Sequence, residues 1–171
     1  KGTDYVGGLV GRAYNKSTIE YVYNNGEIIG EKYVGGLIGS LEASYSNNSY
    51  LKDSYSFGKV AGITNVGGLF GYSSSASYAK ISDVYYDVTV IANYHQEEGL
   101  IKPSSLETAT NALNTEEFIS NMSSRLNNEH FYFEESTDSE GFYPQLKTFK
   151  ESELGEIRNR SLESVTIDIS G

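Results

Sequence analysis

The chain has 171 residues, enough for one domain with a core of its own, and carries a formal net charge of −10 from 23 acidic and 13 basic residues. An acidic surface of that size repels phosphate backbones, which excludes nucleic acid as a partner. With no cysteine there is no disulfide frame, thiol nucleophile or cysteine zinc site, and no apolar run is long enough for membrane insertion. Fifteen Tyr, eighteen Gly and only two Pro suit short strands joined by tight turns.

From Lys1-Gly2-Thr3-Asp4 the chain runs directly into a phrase that it repeats, and it reads as a piece of a longer protein with neighbouring domains. Tyr5-Val6-Gly7-Gly8-Leu9-Val10-Gly11 returns 28 residues later as Tyr33-Val34-Gly35-Gly36-Leu37-Ile38-Gly39. A further 32 residues on it returns as Asn65-Val66-Gly67-Gly68-Leu69-Phe70-Gly71. A period in this range marks a repeat architecture. The glycines are expected to serve two ends: positive φ at sharp turns, and room for neighbouring backbone. A nucleotide-binding loop needs a strand before its glycines and a helix after them, and nothing helical follows here. Leu9, Leu37 and Leu69 are expected to point inward and stack, as are Val10, Ile38 and Phe70.

Three further columns follow each phrase: Ile19, Leu51 and Ile81; Tyr23, Tyr55 and Tyr85; Ile28, Val60 and Val90. Tyr14, Tyr45 and Tyr78 form a looser fourth. The segments between glycines are short, β-branched or aromatic, and partly alternating, which is a strand pattern. One set of strands per repeat predicts a mainly β fold: a parallel β-helix or β-solenoid of about three coils over residues 1–91, stacked at about 4.8 Å per coil.

The phrase Gly-Gly-Leu-(Val/Ile/Phe)-Gly resembles the GLUG motif of bacterial surface proteins, including adhesins and the non-catalytic N-terminal regions of IgA-specific metallopeptidases. The flanking segments from Asn25 to Gly30 and Phe57 to Gly62, and Val84-Tyr85-Tyr86-Asp87, are similar to that family as well. The resemblance covers residues 4–90 well and reaches loosely to about 150. It implies a right-handed β-helix on a secreted or cell-surface protein. The metallopeptidase zinc pattern His-Glu-x-x-His is absent from the sequence.

Beyond the repeats, residues 92–114 read as a loop. A helix is expected at 115–126, started by a capping-box pattern of Asn114 and Glu117 and carrying an apolar stripe of Phe118, Ile119, Met122 and Leu126. Extended segments are expected at His130–Glu134 and Phe142–Phe149. Residues 92–150 together would form a small α/β cap over the last coil, because a bare β-edge invites aggregation. Residues 151–171 read as a linker and the start of a following domain.

No catalytic or metal-binding constellation stands out, and no cofactor is implied. His95 and His130 sit outside any ligand or triad pattern, and the paired acids are sequence neighbours whose side chains diverge. The reading is a non-catalytic structural module, a stiff spacer of an extracellular protein. The alternative is an adhesin-like module that binds a host glycan or a matrix or mucosal protein through exposed Tyr21, Tyr50, Tyr72, Tyr86 and Tyr94. A carbohydrate-active β-helix is the third reading, for which three coils give too short a groove.

Overall fold

The structure is a computed structural model and describes residues 1–74, 77–88, 111–133 and 143–150. In the first repeat the glycine phrase makes two strands on either side of a bend, β1 (Asp4–Gly7) and β2 (Val10–Tyr14), followed by β3 (Thr18–Glu20), β4 (Tyr23–Asn24) and β5 (Ile28–Ile29). The second repeat gives β6 (Lys32–Gly35), β7 (Ile38–Glu42), β8 (Ser49–Ser56) and β9 (Val60–Ala61). The third gives β10 (Thr64–Gly67), β11 (Phe70–Ser73) and β12 (Ala79–Asp87).

Every strand pair between repeats is parallel, and equivalent residues face one another. Val6, Val34 and Val66 form one rung of a ladder, and Val10, Ile38 and Phe70 another. Ile19, Leu51 and Ile81 share a third, and Tyr23, Tyr55 and Tyr85 a fourth. Ile28 pairs with Val60, while Val90 lies outside the described residues. The Tyr14, Tyr45 and Tyr78 column divides: Tyr14 pairs with Glu42, and Tyr45 meets Tyr78 edge to face. The fold is therefore mainly β, built on parallel sheets. Its core follows the ladders, with Leu37, Ile38, Leu41, Leu51, Leu69, Phe70 and Val84 fully buried and Val34, Val60 and Val66 in a second cluster.

The glycines hold this register, but by one of the two expected mechanisms only. No described glycine has positive φ. Six of the left-handed positions form two columns: Tyr5, Tyr33 and Asn65, each at φ 54, and Tyr21, Asp53 and Asp83, at φ 55, 42 and 54; Asn15 and Lys16, at φ 36 and 54, lie in a connecting loop. Each column falls where the pairing skips one residue on both strands, so the ladder bends there without losing register. Asn and Asp tolerate this backbone; the Tyr are strained by it. The glycines instead make way for backbone, of their own phrase and of the neighbouring repeat. A Cβ on Gly35 would stand 2.1 Å from the Ile38 carbonyl of the same phrase and 2.7 Å from the Leu69 carbonyl of the next repeat, and one on Gly36 would stand 2.1 Å from the Gly68 carbonyl. A Cβ on Gly71 would stand 2.1 Å from the Tyr33 backbone.

Leu9 departs from the inward expectation. Leu37 and Leu69 are fully buried, but Leu9, in the first repeat, is 44% exposed; Leu69 lies between edge strands too, but belongs to the core cluster against which Tyr86 packs.

The C-terminal segment lies along the stack. Strand β13 (Ala112–Leu113) continues the ladder beyond β12, within the segment expected to be a loop. Helix α1 (Thr115–Asn121) starts with the expected capping box, Asn114 Oδ1 accepting from Glu117 N and Glu117 Oε2 from Asn114 N, both at 2.9 Å. It is shorter than the 115–126 expected. A 3₁₀ turn (Met122–Ser124) replaces its end, among Asn and Ser residues of modest helix propensity, with Ser124 Oγ donating to the Asn121 carbonyl. Phe118, Met122 and Leu126 are buried as the stripe predicts. The expected extended segments reduce to an antiparallel pair, β14 (Phe131–Tyr132) and β15 (Gln145–Leu146), and the chain turns helical in α2 (Lys147–Lys150).

These elements pack on the flank of all three repeats. Tyr55, Phe57, Leu113, Phe118, Met122, Leu126, Phe131 and Tyr143 make one aromatic-rich cluster, with Tyr143 stacked on Phe57 at 3.9 Å. His130 stacks on Tyr21 of the first repeat at 3.8 Å. Asp53 of the second accepts from Asn127 N at 3.1 Å, and Arg125 lies over the Tyr85 ring of the third.

Two predictions follow from this packing. Leu37→Ala should cost about 2–5 kcal/mol, and Leu9→Ala under about 1 kcal/mol, in urea unfolding; equal costs would mean that the two leucines have like surroundings. Gly36→Ala should cost about 3 kcal/mol or more, whereas Gly26→Ala, whose Cβ meets nothing nearer than 3.4 Å, should stay within about 1 kcal/mol.

Candidate binding surface

The outward-facing rungs carry the polar and aromatic chemistry, in two regions. The first spans β1, β2, β6, β7 and β11. Tyr5 and Tyr33 follow one another in the same left-handed column, so their rings stack at 4.9 Å, and Tyr72 meets Tyr33 edge on at 5.9 Å. Arg12 lies between Tyr5 and Tyr14, 5.2 and 5.6 Å from their ring centroids. Arg12 and Glu42 are one rung apart with Ser40 between them in register, and the guanidinium donates to both Glu42 oxygens at 2.8 Å. Ser40 Oγ adds a third bond to Glu42 at 2.7 Å. The Arg12 bonds hold the Glu42 carboxyl below its ordinary range, and Glu42 raises the already basic Arg12. The result is a rigid platform in which each ring already has a partner.

The second region lies where the strand after the glycine phrase turns into the next ladder. The connecting loops Asn15–Ser17 and Ala43–Asn48 leave an open cleft of about 400 Å³ lined by Lys16, Thr18, Tyr45, Ser46, Asn48 and Tyr50. Asn48 Nδ2 donates to the Tyr50 hydroxyl at 3.4 Å, and Lys52 Nζ sits 5.4 Å from the Tyr50 ring centroid. Tyr45 is 85% exposed.

The tyrosines singled out in the sequence do not form one cluster. Tyr50 lines the cleft and Tyr72 belongs to the platform. Tyr21 is half-buried under His130. Tyr86 is half-buried, its ring lying over Gly68 and packing against two core clusters. Tyr94 lies outside the described residues. Sequence reasoning missed Tyr5, Tyr14, Tyr33, Tyr45 and Arg12 as surface groups. For Tyr5 and Tyr33 the signal was the phrase itself, whose first residue takes the left-handed backbone that the pairing skips.

Carboxylates serve structure where they are buried. Asp87 is fully buried and accepts from Thr115 Oγ1 at 2.8 Å and from Tyr143 Oη at 2.6 Å. Burial, then this carboxylate, pushes the Tyr143 hydroxyl up, and burial pushes Tyr55 well up, its hydroxyl donating to the Pro144 carbonyl. Among the described residues no group of three His, Asp or Glu is placed to hold a metal ion, and no helix is long and apolar enough to cross a membrane. His95 lies outside them.

The platform ion pair yields a pH-dependent test. Glu42→Gln should lower stability at pH 7 by about 0.5–1 kcal/mol, as for a partly exposed bidentate pair. A depressed carboxyl stabilises the fold above its unfolded value and loses that effect as pH falls through the lowered one, so the difference between variant and parent should shrink below about pH 4. A difference independent of pH would assign it to packing.

Comparison with known proteins is consistent with the repeat. No curated protein and no solved structure matches the chain. The GLUG motif is a non-catalytic repeat associated with surface and extracellular proteins. Residues 2–29, which make up the first repeat as far as β5, match the family model of the GLUG motif.

Proposed function

We propose that the stacked repeats of residues 1–91 form a short right-handed β-solenoid of about three coils, capped by the segment to about residue 150, and that residues 151–171 lead on toward a further domain. It serves as a non-catalytic, stiff structural module of a secreted or cell-wall-anchored bacterial surface protein. The observation that carries this reading is the unbroken parallel register of equivalent residues from one repeat to the next. Parallel strands joined end to end with backbone in van der Waals contact leave little freedom to bend, which is what a spacer requires. The buried acids and phenols fit the same reading, since they bond to one another instead of lining a groove.

A second reading, recognition of a host glycan or a matrix or mucosal protein, is supported by one feature. Tyr45 stands 85% exposed beside a polar cleft, although most other rings are occupied by neighbours.

Backbone ¹⁵N relaxation tests the spacer. Order parameters should be uniformly near about 0.85 across residues 4–14, 32–42 and 64–73. Values that fall below about 0.6 in any repeat would remove the stiffness on which the role depends.

A further inference from the structure

The three repeats differ in length, yet their ladders stay in register, so the difference must be absorbed somewhere. It is absorbed at one corner. β2 and β7 align residue for residue from Val10 and Ile38, and β3 and β8 from Thr18 and Tyr50. Between these aligned positions the first repeat spends only Asn15–Ser17, and the second spends Ala43–Ser49, four residues more, which is the difference between the spacings of 28 and 32. A rigid scaffold that varies at one loop cluster is the usual arrangement for a binding site. The cleft sits at this corner, with Lys16 from the shorter loop and Tyr45, Ser46 and Asn48 from the longer.

Charge singles out the same corner. The segments that meet there, 14–19, 43–52 and 77–82, contain Lys16, Lys52 and Lys80 and no acid, in a chain of net charge −10. Lys80 pairs in register with Tyr50, and Lys52 reaches over the Tyr50 ring. Glu20 faces Lys52 across the next rung and balances it in part; Lys16 has no acid in the lining. The lining is otherwise hydroxyl and amide, with little to hold an apolar ligand. Tyr45 meets only the Tyr78 ring, edge to face at 6.1 Å, and stays 85% exposed, unlike Tyr5 and Tyr33, which stack on each other. An exposed aromatic ring suits the C–H face of a pyranose, hydroxyls and amides suit its hydroxyls, and a lysine suits a carboxylate or sulfate.

We propose that this corner cleft binds an acidic saccharide, with the ring on Tyr45, the sugar hydroxyls on Asn48, Thr18 and Tyr50, and the anionic group facing Lys16. The proposal rests on the recognition reading above and names its site and ligand class.

The test is NMR titration of the ¹⁵N-labelled chain with sialyllactose and with a sulfated uronic-acid disaccharide, using lactose as the neutral control. The expected result is saturable shifts confined to residues 15–18 and 45–50 with a Kd of about 1 mM or tighter. Binding should weaken roughly tenfold in Tyr45→Ala and in Lys16→Gln, and weaken as salt rises to about 0.5 M. Tyr72→Ala, on the platform, should leave it unchanged. Both Tyr45 and Lys16 are exposed, so neither variant threatens the fold. The proposal is overturned if neither acidic saccharide shifts these residues at about 10 mM, if lactose binds equally well, or if an oligoglutamate peptide saturates the same residues in place of the sugars. Shifts that reach the same residues in Tyr45→Ala with unchanged affinity would overturn it too. If the relaxation data show a stiff stack and the titration fails, only the saccharide site falls; a stack that is not stiff removes the spacer role whatever the titration shows.

Discussion

The architecture depends on how closely the backbone of one repeat approaches the next. At Gly7-Gly8 and Gly35-Gly36 there is no space for a single carbon atom beyond the main chain. That closeness sets the register, because sliding a neighbour by one residue would drive a side chain into the gap and turn every leucine of the ladder outward. Once the register is set, like residues meet like, and the core forms from columns of Leu, Ile, Val and Phe without any long-range search. The same closeness explains why the chain bends elsewhere. With the glycines occupied as contact points, the left-handed positions fall to Tyr, Asn, Asp and one Lys.

The left-handed bends in turn decide what the surface offers. A residue left out of the pairing on every strand alike makes a column of side chains that belong to no rung of the ladder. On the glycine-phrase side these are tyrosines that stack on one another, with Arg12 and Glu42 locking the edge of the array. Rings used in this way contribute rigidity and leave only their edges and hydroxyls for a partner. In the other column, Tyr21 and Asp53 are taken up by His130 and Asn127 of the C-terminal segment. Only the corner of variable length escapes both fates, since nothing in the ladder dictates what its loops must do.

Much of this was legible in the sequence because a repeat states its own alignment. The columns of Ile19, Leu51 and Ile81 and of Tyr23, Tyr55 and Tyr85 are read directly from the spacing, and the structure pairs them as read. The helix start was legible too, since Asn114 and Glu117 satisfy a local rule that needs no tertiary information. Three things were not legible. The role of the glycines was ambiguous, because freedom in φ and lack of bulk leave the same mark on a sequence. The exposure of Leu9 depends on being the first of a stack, which a repeat pattern treats as equivalent to the others. The side chains of the surface were hidden because Tyr is at home both in cores and on exposed strands; Tyr55 is fully buried and Tyr45 almost wholly exposed, and their local sequences do not say which is which.

Contacts from one C-terminal segment to all three repeats change how the stack comes apart. A linear array held only by neighbour-to-neighbour contacts frays from its ends, one unit at a time. Here His130 holds the first repeat, Asn127 the second and Arg125 the third, within six residues of one another. The first repeat cannot peel away without unstacking His130, and that loosens the aromatic cluster on which the other two rest. The segment acts as a cross-brace: it couples units that would otherwise melt in sequence, and makes a short stack behave as a single cooperative body.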